Sequence, residues 1–317
     1  MSANVGTGLV PQVGIIGVGN MGLAIATRLL ACGRSVAVRD IDPSRESMAR
    51  ALGARVSASP AAVAEVSACV IVCVVDARQT DSVLFNPLDG VAAQSTRPSI
   101  LLCPTIAPHA TEGFAQRLAA LGMPCIDAPM SGGPARAREG RMSLMVACAD
   151  ALFECHFELL SVLADPVFRV GQRSGDGART KLVNNLLAAI NLAGAAQALA
   201  LAEHVGLDPT RTLEVIEQSS GQSWIGSERM RRALARDLAP RAHTSLLNKD
   251  AQLALQMAQA CDFDASVGAA AAALFGRACQ DGMADLDDAC LFDMPRTTPS
   301  KVKSGPDPEL TPPGSAA

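Results

Sequence analysis

Lysine is nearly missing from this chain. Of its 27 basic residues four are lysines, and two of those, Lys301 and Lys303, fall in a proline-rich C-terminal stretch. The first 300 residues hold Lys181 and Lys249 against 23 arginines. A lysine here is therefore a departure from habit and needs its own reason. Aromatic residues are also few: eight Phe, one Trp and no Tyr. A core must be assembled from aliphatic side chains, and an apolar content of 49% leaves enough of them. No pair of cysteines has CxxC spacing, although there are ten cysteines in all. That disfavours the common zinc and disulfide frameworks; no metal site is expected, and the thiols read as buried small hydrophobes in a reducing cytoplasm. No basic stripe stands out from a net charge of −4 with both signs interspersed, which argues against a large nucleic-acid footprint. The N-terminus "MSANVGTGLVPQ" has neither a basic n-region nor a long apolar h-region, so no signal peptide is expected. No apolar run is read as reaching the ~18–20 residues of a membrane span.

What is present divides into two textures within a length that suits two domains. Short β-rich runs occur at 12–16, 35–39, 68–75, 99–103, 123–128 and 143–147, separated by Ala/Leu/Arg-rich stretches with helical spacing such as 20–31, 60–66 and 109–121. Strands alternating with helices imply βαβ units and a parallel sheet, and nearly continuous apolar runs suit strands covered on both faces. After about residue 172 the strand signal stops. Residues 181–206 read as one long helix, apolar nearly all round and so expected to be buried. Further helices are expected over 209–218, 223–236, 245–260 and 265–280. Residues 295–317 carry six prolines and almost nothing apolar, the composition of a disordered tail. The expected architecture is an α/β Rossmann domain over 1–174, followed by an all-α domain over 175–294 that a long helix joins to it, and then the tail.

Three motifs carry chemistry. In "VGIIGVGNMG" the glycines Gly17, Gly19 and Gly22 have GxGxxG spacing between a strand and a helix. Gly17 suits a tight turn, Gly19 close approach of backbone to a pyrophosphate, and Gly22 tight packing of helix on strand. The helix N-terminus that follows, with Val18, Asn20 and Met21, offers N–H groups to phosphates. Asp40 ends the second strand, 23 residues after Gly17, where a carboxylate can accept from the adenosine ribose and repel a 2′-phosphate. The expected cofactor is NAD, with NADP not excluded because Arg39 and Arg45 lie nearby. The second motif, "IDAPMSGG", places Ser131, Gly132 and Gly133 at the C-terminal end of a strand. Its small residues suit either a carboxylate-binding concavity or a plain turn. The third is "GDGARTKLVNN". Lys181 lies one turn into the long helix and Asn185 four residues on, so they share a face. A cation and an amide stacked in an apolar helix are costly to bury without a function or a partner.

Together with "NKDAQLAL" (248–255), these stretches are similar to the β-hydroxyacid dehydrogenase family and run in family order over about residues 12–290. The resemblance implies that Lys181 is the catalytic acid/base and that Asn185 binds substrate beside it. It implies that Ser131, Gly132 and Gly133 hold the substrate carboxylate and that Trp224, in "SSGQSW", walls the pocket. Val74 and Val75 would line the nucleotide, Thr105 would reach the cofactor, and Lys249 would close over it. The implied reaction is reversible hydride transfer between NAD(P) and a small 3-hydroxy acid such as 3-hydroxyisobutyrate. The implied assembly is a homodimer or homotetramer. An imine reductase of the same architecture and a non-catalytic NAD-sensing protein are the alternatives. Two departures from the family pattern stand out: Pro104-Thr105 replaces a Ser-Thr pair, and "CVVDARQ" lacks the proline that often follows the fourth strand.

Overall fold

The computed structural model describes residues 12–237 and 239–296. The polypeptide first runs β1 (Val13–Ile16), α1 (Asn20–Ala31), β2 (Val36–Arg39), α2 (Pro43–Ala51), β3 (Arg55–Val56), α3 (Pro60–Val66), β4 (Cys69–Val72), α4 (Ala77–Phe85), β5 (Ser99–Leu102), α5 (Pro108–Ala120) and β6 (Cys125–Asp127). It continues through β7 (Met130–Ser131), α6 (Gly133–Arg138), β8 (Met142–Ala147), α7 (Asp150–Leu163) and β9 (Ala164–Gly171). Helices α8 (Asp176–His204), α9 (Pro209–Glu217), α10 (Trp224–Leu234), α11 (Thr244–Gln259) and α12 (Ser266–Ala278) follow, then a 3-10 segment, Asp288–Arg296. The expected α/β-then-all-α architecture is what forms. The proline-rich stretch from 297 onward and the first eleven residues lie outside the described residues.

The sheet order is β3-β2-β1-β4-β5-β6-β8-β7, with β9 pairing β8. Strands β1 to β6 are parallel to one another, and β8 runs antiparallel to β6 and β7. Every residue of β1 and β4 is buried, which is why those runs carry no polar alternation. Alternate residues feed two layers. Ile15, Val38, Ile71 and Leu101 pack with Ile25, Leu29 and Leu160 on one face. Ile16, Val70, Val72 and Leu102 pack with Val63, Leu84 and Leu118 on the other. A third core, around Leu192, Leu199, Met230, Phe275 and Phe292, belongs to the helices after α8. The order reverses direction between β1 and β4, and ligands of such sheets bind in the crevice this creates at the strands' C-terminal ends.

Three expectations need correction. Strand β9 was not expected: "ADPVFRVG" shows no clean alternation, because most of this strand is exposed or half-buried where it pairs with β8. All ten cysteines are free, but Cys32, Cys155 and Cys261 are exposed rather than buried. Helix α8 is also not buried all round. Ala189, Leu192, Ala196 and Leu199 are covered, while Val183, Leu187 and Leu201 stay 57–61% exposed. Only the stripe facing the other elements is needed for the core. By length and composition α8 would in fact pass as a membrane span, with a mean hydropathy of 1.5 over 18 residues. In the fold its covered stripe packs in the helical core instead.

The start of α8 packs closely on the sheet. Its N-cap, Gly175, has φ +97° and offers no side chain. Asp127, at the end of β6, supplies the cap instead: its Oδ2 accepts from the N–H of Gly175 at 2.8 Å and of Ala178 at 3.2 Å. A Cβ on Gly177 would stand 2.7 Å from the carbonyl oxygen of Met145 and 2.8 Å from Asp127 Oδ1. Glycine lets the helix approach the sheet this closely. Elsewhere in a helix Gly→Ala gains up to about 1 kcal/mol. Here overpacking against a backbone oxygen opposes that gain at a cost of about 1–3 kcal/mol. Gly177→Ala should therefore lower stability in a denaturant melt, and a variant more stable than wild type would contradict the junction described.

Candidate active site

The glycine turn after β1 has the geometry its spacing predicts. Gly17 has φ +90°, and a Cβ there would meet the carbonyl oxygen of Cys73 at 2.6 Å. A Cβ on Gly22 would collide with the carbonyl oxygen of Gly17, so helix and turn touch directly. Gly19 differs: nothing lies within 4 Å of where its Cβ would stand, and as N-cap of α1 it gives no side-chain cap to the helix. The open space and the uncapped N–H groups of Asn20 and Met21 fit a pyrophosphate. Asp40 leaves β2 toward this turn, with Oδ2 accepting from the N–H of Val18 at 2.6 Å and Oδ1 from that of Asp42 at 2.9 Å. Each oxygen keeps a lone pair for a ribose hydroxyl. The Val18 side chain is wholly buried, so that residue presents only backbone to the turn. Val74 meets Gly17, with its Cγ1 3.2 Å from the glycine's would-be Cβ.

One of the two lysines reaches the C-terminal ends of the central strands. Lys249, on α11, crosses from the helical domain, and its Nζ donates to the carbonyl oxygens of Val75 at 3.2 Å and Thr105 at 2.5 Å. It thus links the ends of β4 and β5 to α11, through backbone carbonyls rather than the Thr105 hydroxyl. It also pairs with its neighbour, Nζ to Asp250 Oδ1 at 3.0 Å. The other oxygen of Asp250 accepts from Asn185 Nδ2 at 2.6 Å, and Asn185 Oδ1 accepts from Asn184 Nδ2 at 2.9 Å. One amide hydrogen of Asn185 remains uncommitted, and the amide is held in a single orientation.

Lys181 stands on the Asn185 face of α8, 7% exposed. Burial pulls its ammonium below the ordinary lysine value, the nearby Asp250 carboxylate pulls it back up, and the Lys249 charge pushes it down again. Burial is the largest of the three. By pairing with Asp250, Lys249 also weakens the one influence that keeps the proton on Lys181. Asp127, under the first turn of α8, is pushed up to about 6 by burial, against the backbone N–H bonds of Ala178, Gly175 and Gly177.

Sequence reasoning did not assign roles to Asp250 or Asp127. Both lie in the quoted motifs, and a carboxylate inside an otherwise apolar element was the signal available for each. Ser131 pairs with Ser143 of β8, and Gly132 and Gly133 have φ +119° and +73°. Residues with side chains rarely adopt such left-handed φ values, so this turn favours glycine at both positions. Trp224 opens α10 and is 54% exposed. Two residues on, Gly226 packs against Asn191 and Ala195 of α8, roughly two turns beyond Asn185. The structure thus joins Asn185, Asp250 and Lys249 to Val75 and Thr105 by direct bonds. Ser131 and Trp224 have no bond to that set among the described residues.

Residues 12–171 match the family model described as the NAD binding domain of 6-phosphogluconate dehydrogenase. Residues 175–294 match that described as NAD-binding of NADP-dependent 3-hydroxyisobutyrate dehydrogenase. L-threonate dehydrogenase of Cupriavidus necator is 33% identical over 281 residues, spanning 89% of this chain and 95% of that protein. 3-Hydroxyisobutyrate dehydrogenase of Pseudomonas aeruginosa is 34% identical over 272 residues, 83% of this chain and 91% of that one. The crystal structure of 3-hydroxyisobutyrate dehydrogenase from Salmonella typhimurium superposes with a TM-score of 0.83 at 30% identity, over 90% of this chain and all of that one. An imine reductase from Pseudomonas sp. is further off, with a TM-score of 0.62 at 22% identity, a likeness of fold alone. A glycine turn of dinucleotide-binding geometry, a buried lysine on α8 and relatives spanning nearly the whole length lead to one assignment: the chain belongs to the β-hydroxyacid dehydrogenase family of NAD(P)-dependent oxidoreductases.

Proposed function

We propose that the protein catalyses reversible NAD-dependent oxidation of a small 3-hydroxy acid of the L-threonate or 3-hydroxyisobutyrate kind, with Lys181 as general acid/base. The observation that carries the reading is the buried Lys181, its ammonium pulled down by desolvation, on one helix face with an oriented amide. A dinucleotide bound at the Gly17–Gly22 turn supplies the hydride acceptor. In oxidation, neutral Lys181 takes the hydroxyl proton from the carbinol; in reduction, charged Lys181 returns it to the carbonyl oxygen. Arginine cannot serve, because a guanidinium does not deprotonate near neutral pH. Asn185 uses its free amide hydrogen to hold the substrate oxygen toward Lys181. The Ser131–Gly133 turn takes the carboxylate, and Trp224 borders the pocket. Lys249 needs only charge and reach: it clasps the two domains at Val75 and Thr105 and neutralises Asp250. Asp40 favours NAD, since a 2′-phosphate would sit against its carboxylate.

The apolar stripe Val183, Leu187 and Leu201 on α8 supports self-association, a homodimer or homotetramer, through the outer face of that helix. Ten free cysteines support a reducing, cytoplasmic setting.

Lys181→Arg should abolish NAD reduction by 3-hydroxy acids, by roughly 10²–10⁴-fold in kcat, while NADH still binds in a fluorescence titration. An active variant would refute the role of Lys181, and loss of NADH binding would move that role from proton transfer to the cofactor site. Asp250→Asn keeps an oxygen for Asn185 but removes the charge that raises Lys181. The Lys181 pKa should then fall further, so the acid limb of the kcat/KM profile for oxidation moves to lower pH. A limb that stays put or moves to higher pH would mean Asp250 does not act on the titrating group.

A further inference from the structure

Just beyond the glycine turn, the ribose end of the dinucleotide site contains two carboxylates and two guanidiniums in a fixed arrangement. Asp40 faces the turn and accepts from Val18. The next residue, Ile41, is apolar and 89% exposed, so the position directly after Asp40 offers no cation. The cation is on its other side. Arg39, the last residue of β2, has its Nη1 2.6 Å from Oε1 of Glu46, in the first turn of α2. The same Glu46 oxygen accepts from the N–H of Asp40 at 3.2 Å. The Glu46 side chain is 14% exposed and that of Arg39 32%, so the pair is partly shielded from solvent. Arg45, one residue before Glu46, leans the other way, its Nη1 3.4 Å from Asn20 Oδ1 at the start of α1.

We propose that Glu46 is a positioning residue for dinucleotide selection: by holding the Arg39 guanidinium it keeps that cation from a 2′-phosphate on the adenosine ribose. The inference rests on the reading of Asp40 as an NAD-favouring carboxylate and adds a second layer to it. A phosphate at the ribose 2′ position would need a guanidinium to offset Asp40, because paired guanidinium–phosphate bonds are the strong, bidentate kind. Arg39 belongs to the residue next to Asp40 in the chain and has the reach for this, but its charge is already matched. Glu46 therefore acts by occupying the arginine. Its bond to the Asp40 N–H also fixes the backbone from which the Asp40 carboxylate projects.

The test measures Kd for NADH and for NADPH by fluorescence titration of the full-length protein, without turnover, in wild type, Glu46→Gln, Arg39→Ala/Glu46→Gln and Asp40→Ala. Glutamine keeps an oxygen for the Asp40 N–H but loses the charge that holds Arg39. Glu46→Gln should narrow the NADPH/NADH Kd ratio by roughly tenfold, and the added Arg39→Ala change should restore most of the wild-type ratio. A purely structural Glu46 would lower the melting temperature and weaken both dinucleotides alike. Glu46→Ala provides the same comparison by truncation if the glutamine variant folds poorly. The proposal is overturned if the ratio does not move in either Glu46 variant, or if the narrowing persists without Arg39. The Asp40→Ala arm reports separately on the underlying reading: a narrowed ratio there with an unmoved ratio in Glu46→Gln removes Glu46 and keeps Asp40, whereas an unmoved ratio in Asp40→Ala removes the NAD-favouring role itself.

Discussion

The contact on which the site depends is the one between a strand-end carboxylate and the first turn of α8. Asp127 reaches 48 residues along the chain to accept from the N–H groups of Gly175 and Ala178. A helix start normally borrows its cap from the residue just before it. This one has glycines at Gly175 and Gly177 and takes its cap from the sheet, so the helix is fixed in position relative to β6 before any helical packing is considered. Lys181 is one turn further on. Its distance from the strand ends, and hence from any dinucleotide bound there, is set by a hydrogen bond and a missing Cβ. The carboxylate that does this is itself buried and pushed up to about 6, so positioning the helix carries an electrostatic cost.

A second constraint closes the arrangement from the opposite side. Lys249 spans from α11 to the carbonyls of Val75 and Thr105, and Asp250 beside it orients Asn185. The two lysines thus have different electrostatic roles. Lys249 bonds two carbonyl oxygens and pairs with a carboxylate. Among the described residues Lys181 has no bonded acceptor of its own; it sits within reach of the Asp250 field and of the opposing Lys249 charge, and burial dominates. On the proposed function, a chain that uses arginine almost everywhere retains lysine in one place for deprotonation and in another for a compact, flexible reach.

Much of this is legible in the amino-acid sequence. Continuous apolar runs marked β1, β4 and β5 because these strands are covered on both faces, and helical spacing placed α1 and α3 close to their observed bounds, while the long apolar run read over 181–206 begins at Asp176. What the pattern could not show was set by partners distant in sequence. Strand β9 exists because β8 offers it an edge. The outer stripe of α8 is exposed although its composition matches the covered stripe, since burial of an Ala/Leu helix depends on what packs against it. Lys181 and Asn185 were readable as a pair because they share a helix. Asp250 and Asp127 were not, because their partners lie 65 and 48 residues away. Arg39 and Glu46 stand seven residues apart, yet their pairing reflects how α2 folds back over the end of β2.

The central claim is that the fold holds Lys181 with a depressed proton affinity. The most direct measurement is an NMR titration of the lysine side-chain nitrogens in the intact protein. With four lysines in the chain, the resonances can be assigned by substituting each in turn. Lys181 is expected to titrate below the ordinary lysine range. A Lys181 resonance that stays protonated as far up the pH scale as an ordinary lysine would contradict the account, because a group that cannot shed its proton near the working pH cannot accept one from a hydroxyl.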